Sequence, residues 1–156
     1  EAARLEVLRL FEAVQLRDPE RCYRSYPHEL SGGMCQRIMI AMAIAGHPKL
    51  LIADEPTSAL DVSVAAEIVE LLAKLRETLG LSILIITHDL SVATCLADRI
   101  AVLDQGVLVE EVSSDRFLYQ STHAASRKLI DACRFLGAAF GAETPIRQDC
   151  AIVDKN

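Results

Sequence analysis

Leu50-Leu51-Ile52-Ala53-Asp54-Glu55-Pro56-Thr57-Ser58-Ala59-Leu60-Asp61 is the stretch that decides how the chain is read. An unbroken apolar run ends in two adjacent carboxylates and a turn of small residues. A strand buried on both faces carries apolar side chains on both, and Pro56 denies it an easy continuation, so Asp54 and Glu55 are expected at its carboxyl end. In open α/β sheets ligands bind at those ends. Two acids delivered there suit a metal-nucleotide site, one carboxylate near Mg²⁺ and the other accepting a proton from water. Taken alone, the pair reads more simply as a strand followed by an acidic helix cap.

Composition sets the outer limits. A chain of 156 residues predicts one domain, and 51% hydrophobic against 24% charged residues allows it a proper core. Sixteen Lys and Arg against 22 Asp and Glu give a net charge of −6, the wrong sign for a nucleic-acid clamp. Trp is absent and aromatics are 4% of residues, which leaves few faces for stacking bases. No apolar run approaches the ~20 residues that span a bilayer, and no signal segment opens the chain, so a soluble cytoplasmic setting is the expectation. Cys22, Cys35, Cys95, Cys133 and Cys150 show no C-x-x-C spacing for zinc or a redox pair, and reduced packing thiols are expected.

Upstream of the central stretch, Leu5, Leu8, Phe11 and Val14 recur at helical spacing. The helix begins at once at Glu1, so further sequence is expected before it. Asp18-Pro19 reads as an N-cap with proline in the first helical position of a short helix. Leu30-Ser31-Gly32-Gly33-Met34 then enters a helix running to about Gly46, where Ser31 and the free N–H groups of the first turn offer donors to an anion. An isolated Ser-Gly-Gly is better read as a capped helix with a flexible entry. Downstream, Asp61 caps a helix lined by Val64, Ile68, Leu71, Leu72 and Leu75 and stopped by Gly80. Leu81 to Thr87 supplies a second buried strand ending at His88, and Asp89 caps the next helix. Asp104-Gln105-Gly106 between two apolar runs signals a hairpin.

These pieces, in this order, resemble the ATP-binding subunits of ABC transporters. Leu30-Ser31-Gly32-Gly33-Met34 resembles the ABC signature, with Met34 where many members carry Gln. Leu51 to Asp54 resembles the Walker B strand, Glu55 stands at the catalytic glutamate, Ser58-Ala59-Leu60-Asp61 matches the D-loop and His88 the switch histidine. Tyr26-Pro27-His28-Glu29 and Leu60 to Val64 further resemble the branch importing oligopeptides, dipeptides and nickel. The segment after His123 departs from that branch, reading Ala124-Ala125-Ser126 where Pro-Tyr-Thr is usual.

The resemblance implies an α/β fold, part of a P-loop NTPase, with a helical signature subdomain, parallel strands and a closing hairpin. It implies residues 1–48 as the signature subdomain, 49–112 as the C-terminal part of the ATPase core, 113–140 as C-terminal helices and 141–156 as a loose tail. It implies ATP with Mg²⁺ held at Asp54 through water, an attacking water deprotonated by Glu55 as general base, and a γ-phosphate contacted by His88. Ser31, Gly32, Gly33 and Met34 would serve a nucleotide held by a second ATPase subunit, identical or different, which the D-loop would also touch. Permease subunits in the membrane and, indirectly, an extracytoplasmic solute-binding protein would complete the assembly, with this subunit peripheral on the cytoplasmic face. No G-x-x-x-x-G-K-[ST] occurs in the chain, so it lacks a phosphate cradle of its own and is expected to be inactive and poorly stable alone. The alternatives are a non-transport ABC ATPase, as in phosphonate breakdown or DNA repair, and a non-catalytic remnant acting as an interaction module.

Overall fold

Asp18 begins the first clear piece of local logic: its carboxylate accepts from the Arg21 N–H at 3.1 Å, with Pro19 at the first helical position. The structure, a computed structural model, describes residues 1–139. The chain divides into two compact units, Glu1–Ile86 and Thr87 onward.

The first unit holds helix α1 (Ala2–Ala13), α2 (Pro19–Arg24), a single 3-10 turn (Pro27–Glu29), α3 (Gly32–Ile44), strand β1 (Leu50–Asp54), α4 (Val62–Leu79) and β2 (Ser82–Ile86). α1 ends as Gln15 takes φ 57° and the Leu16 N–H reaches back to the Phe11 carbonyl. That turn brings Phe11, Val14 and Leu16 into the core while Leu5 stays 56% exposed. β1, α4 and β2 form a parallel βαβ unit with Leu50 opposite Ser82 and Asp54 opposite Ile86. α4 follows its sequence pattern, burying Ile68, Leu71, Leu72 and Leu75 and ending at Gly80 with φ 63°.

The strands depart from the expectation of burial on both faces. Register puts Leu51, Ala53, Ile83 and Ile85 on one face and Leu50, Ile52, Leu84 and Ile86 on the other. Leu51 is buried, whereas Leu50, Ile52, Leu84 and Ile86 are each about half exposed. An apolar run reports that a strand can be covered twice; only a second covering layer makes it so.

The second unit holds α5 (Leu90–Leu96), β3 (Arg99–Asp104), β4 (Val107–Ser113), α6 (Ser114–Gln120) and α7 (Ala124–Ala139). β3 and β4 pair antiparallel around Gln105 and Gly106, at φ 50° and 79°, the two positive-φ positions of a type I′ hairpin turn. A bulge lies between Val102 and Leu103. Phe117 is fully buried in this unit's core with Leu90, Ile100, Val102 and Ile130. The loop before α7 hangs on Glu110 of β4, whose Oε1 accepts from the Thr122 N–H at 2.7 Å, the Thr122 hydroxyl at 3.1 Å and the His123 N–H at 3.3 Å. The Ser126 hydroxyl, fully buried, bears on the same carboxylate, and with the Thr122 and His123 groups it holds the Glu110 carboxyl down at about 2. His123 is structural here, its Nδ1 accepting from the Ala125 N–H at 3.2 Å.

The reduced state expected of the cysteines holds for Cys22, Cys35 and Cys133; Cys95 is disulfide-bonded. The expected tail, 141–156, lies outside the described residues. Among those residues, no helix is long and apolar enough to cross a membrane.

Candidate functional site

The acid pair sits where the apolar run stops. Asp54 is the last residue of β1 and is exposed; Glu55, half-buried, leaves the strand with φ 46°. A left-handed conformation at a non-glycine residue is uncommon and persists where its surroundings fix it. Here the Glu55 N–H donates to the Ile86 carbonyl at 2.8 Å, while the Glu55 carbonyl accepts from the Ser58 N–H at 3.1 Å and the Ser58 hydroxyl at 2.9 Å. The peptide is therefore tied to the end of β2 on one side and to the following turn on the other. A second left-handed residue, Ala59 at φ 62°, closes that turn, and the Leu60 N–H donates to the Thr57 carbonyl at 3.3 Å. Ser58 to Asp61 thus form a tight link between β1 and α4.

Ser31 and Asp61 do the same local job on different helices. The Ser31 hydroxyl accepts from the Met34 N–H at 3.3 Å, and the Asp61 carboxylate accepts from the Val64 N–H at 2.9 Å and the Ser63 hydroxyl at 2.7 Å. Those bonds, the Val64 N–H first, hold the Asp61 carboxyl below the usual carboxylate range.

The tertiary structure brings these two helix starts together. A Cβ on Gly32 would lie 3.5 Å from the Leu60 side chain, and one on Gly33 would lie 2.6 Å from Val64 Cγ1. One turn further on, Arg37 of α3 reaches Glu67 of α4 at 2.8 Å. Contacts 33 to 64 and 37 to 67 advance in the same direction, so α3 and α4 run alongside each other with their amino ends at one place. Their dipoles add there, and the partial positive charge of two helix starts favours an anion, offset in part by Asp61. Gly33 consequently has a packing reason to be glycine as well as any reason set by a ligand. Sequence reading missed Val64, Arg37 and Glu67 in this arrangement, because no local pattern marks pairs 30 residues apart.

His88 is exposed and stands two residues past the end of β2, in the second unit. Its neighbours are ordered locally: the Thr87 hydroxyl accepts from the Asp89 N–H at 3.0 Å, and Asp89 caps α5 through the Ser91 N–H at 2.8 Å. Among the described residues no three His, Cys, Asp or Glu side chains group as a metal cluster. A single exposed carboxylate such as Asp54 still fits Mg²⁺, which keeps several waters and takes one or two protein carboxylates beside phosphate oxygens.

Residues 2–58 match the family model described as ABC transporter. The chain is 50% identical over 130 residues to the peptidoglycan transport ATP-binding protein YejF of Agrobacterium fabrum, spanning 83% of this chain and 24% of that protein. It is 49% identical over 123 residues to the oligopeptide transport ATP-binding protein OppD of Bacillus subtilis, spanning 79% of this chain and 34% of that protein. Against the glutathione import ATP-binding protein GsiA of Escherichia coli it is 41% identical over 147 residues, 94% of this chain and 24% of that protein. The chain thus spans about a quarter to a third of the length of the curated relatives it matches. Among solved structures, a dimeric ATP-binding cassette in a post-hydrolysis state bound to ADP and Pi superposes with a TM-score of 0.61 at 36% identity, covering 70% of this chain and 46% of that one. Residues 2–58 thus carry the match to the ABC transporter model, and the chain is similar in sequence to import ATP-binding proteins and in its α/β fold to an ATP-binding cassette.

Proposed function

We propose that the chain is the C-terminal part of the ATP-binding subunit of an importer, coupling ATP hydrolysis to uptake of peptides, nickel or a related solute. The observation that carries the reading is Glu55: a carboxylate at the end of a parallel strand, on a left-handed peptide pinned to β2 and to the following turn. A general base works best where its position is fixed relative to the water it deprotonates, and a backbone held on both sides supports the reading by fixing the point from which the Glu55 side chain extends. The names of the relatives favour transport over phosphonate breakdown or DNA repair.

In this reading Glu55 takes the proton of the attacking water, and His88 donates to the γ-phosphate and keeps water and base in line. Asp54 would hold Mg²⁺, which would supply charge neutralisation on the phosphate oxygens. The joined starts of α3 and α4 present Ser31, Gly32, Gly33 and Met34 to a nucleotide bound by a second, like or unlike, ATPase subunit, and Ser58 to Asp61 contact that subunit. Permease subunits and, through them, a solute-binding protein are the remaining partners, with this subunit on the cytoplasmic face of the membrane. Residues 1–48 act as the signature subdomain, 49–112 as ATPase core and 113–140 as C-terminal helices.

Glu55→Gln in the full-length subunit tests the reading. The expected result is ATP binding retained and turnover reduced by about 10²- to 10⁴-fold, the usual worth of a general base. Turnover unchanged by Glu55→Gln, or Mg-dependent hydrolysis by the 156-residue chain alone, would refute it.

A further inference from the structure

We propose that Arg37 is a positioning residue, fixing where the Ser31–Gly33 start of α3 stands against the turn that leads into α4; the inference rests on reading Ser31–Gly33 as a nucleotide-contacting element. The Arg37 side chain is only 10% exposed, and its guanidinium holds two partners. Nη1 donates to the Val14 carbonyl at 2.9 Å, and Nη2 donates to Glu67 Oε2 at 2.8 Å. Val14 follows the last turn of α1, so its carbonyl is among those a helix end leaves for an outside donor. Glu67 lies on α4 and is 59% exposed. One side chain therefore joins the end of α1, the body of α3 and the first turns of α4.

The direction of this tie is what gives it a role beyond packing. A buried cation costs desolvation, and an apolar residue of similar length fills such a space at least as well. A planar fork with two fixed partners instead sets register along a helix pair. Gly33 and Arg37 are successive rungs on α3, as Val64 and Glu67 are on α4, so the register set at Arg37 also sets the close approach of Gly33 to Val64. Ser31 lies six residues earlier, about 9 Å along the helix at 1.5 Å per residue. Slack at Arg37 therefore appears as displacement of Ser31 and Gly32 relative to Leu60, without any change in the groups that touch the nucleotide.

Arg37→Met and Glu67→Gln test the proposal, with Arg37→Lys as the conservative variant and Arg9→Gln as a control at the exposed Arg9–Glu6 pair. Two measurements are needed. Amide hydrogen exchange in the full chain is read at Met34, Cys35, Val64 and Ala65, the capped amides of the two helix starts, and requires no nucleotide. Arg37→Met is expected to speed exchange there about tenfold while β4 amides keep their wild-type rates. Turnover of the assembled full-length ATPase is then read against ATP concentration. A helix start in place only about a tenth of the time raises the KM for ATP about tenfold and leaves kcat at saturation within about twofold. Glu67→Gln and Arg37→Lys fall between wild type and Arg37→Met, and Arg9→Gln changes neither readout. Wild-type turnover with local exchange and KM unchanged in Arg37→Met and Glu67→Gln overturns the proposal, as does faster exchange spread evenly over both units. Absence of turnover in the wild type refutes the ATPase reading instead, and the exchange measurement then decides the positioning role.

Discussion

Replacing Gly33 with alanine would set a methyl carbon 2.6 Å from Val64 Cγ1. Carbon atoms pack best at about 3.5–4.0 Å, so the shortfall is about 1 Å and something has to move. Val64 is β-branched and sits in the first turns of α4, where one χ1 well holds about 90% of valines, so rotating it away costs about 1 kcal/mol. Moving α3 instead disturbs the Arg37–Glu67 rung one turn along. Overpacking of this kind costs about 1–3 kcal/mol, and alanine returns up to about 1 kcal/mol through its better helix propensity. The net expectation is destabilisation of about 1–2 kcal/mol. Val64→Ala removes the obstructing methyl and by itself costs about 1 kcal/mol at this half-buried position. In the double variant the two effects are expected to cancel in part, with a favourable coupling of about 1–2 kcal/mol. Denaturant unfolding of wild type, both single variants and the double variant measures this, provided the slopes agree. A Gly33→Ala protein as stable as wild type, or a double variant whose loss equals the sum of the singles, would refute the packing account of Gly33.

Glu110 makes stability of the second unit depend on pH. Its carboxyl, lowered from 4.5 to about 2, binds its proton more weakly folded than unfolded, so its contribution is present above about 4.5 and lost as pH falls towards 2. Thermal melts of wild type and Glu110→Gln are expected to differ at pH 6 and to converge near pH 2; a gap that widens on acidification would contradict this. At the hairpin, Gln105 holds a left-handed φ of 50° without the side chain best suited to it, so Gln105→Asn is expected to stabilise by about 0.5 kcal/mol in denaturant unfolding. With Leu50, Ile52, Leu84 and Ile86 about half exposed, the 156-residue chain by itself is expected to unfold at low denaturant, below about 2 M urea. A midpoint above about 4 M would show that the open face is tolerated.

Much of the local structure was legible because its causes lie within a few residues. Asp18, Ser31 and Asp61 cap helices through bonds to amides three residues ahead, Gly80 ends α4 in a left-handed turn, and Gln105-Gly106 turns the hairpin. The end of β1 at Asp54, before Pro56, was equally readable. What sequence could not convey is which of these pieces meet. The open face of β1 and β2 was missed because an apolar run records only a capacity for burial. The adjoining starts of α3 and α4 were missed because they rest on Gly33 against Val64 and Arg37 against Glu67, contacts spanning 31 and 30 residues. A cap is a short-range hydrogen bond and leaves a spacing in the sequence; two helix starts become one anion-favouring place only through side-chain packing, and packing leaves no periodic trace. The sequence by itself determined the caps, the strand ends and the acid pair, and the tertiary structure alone decided that Ser31 and Asp61 start their helices side by side.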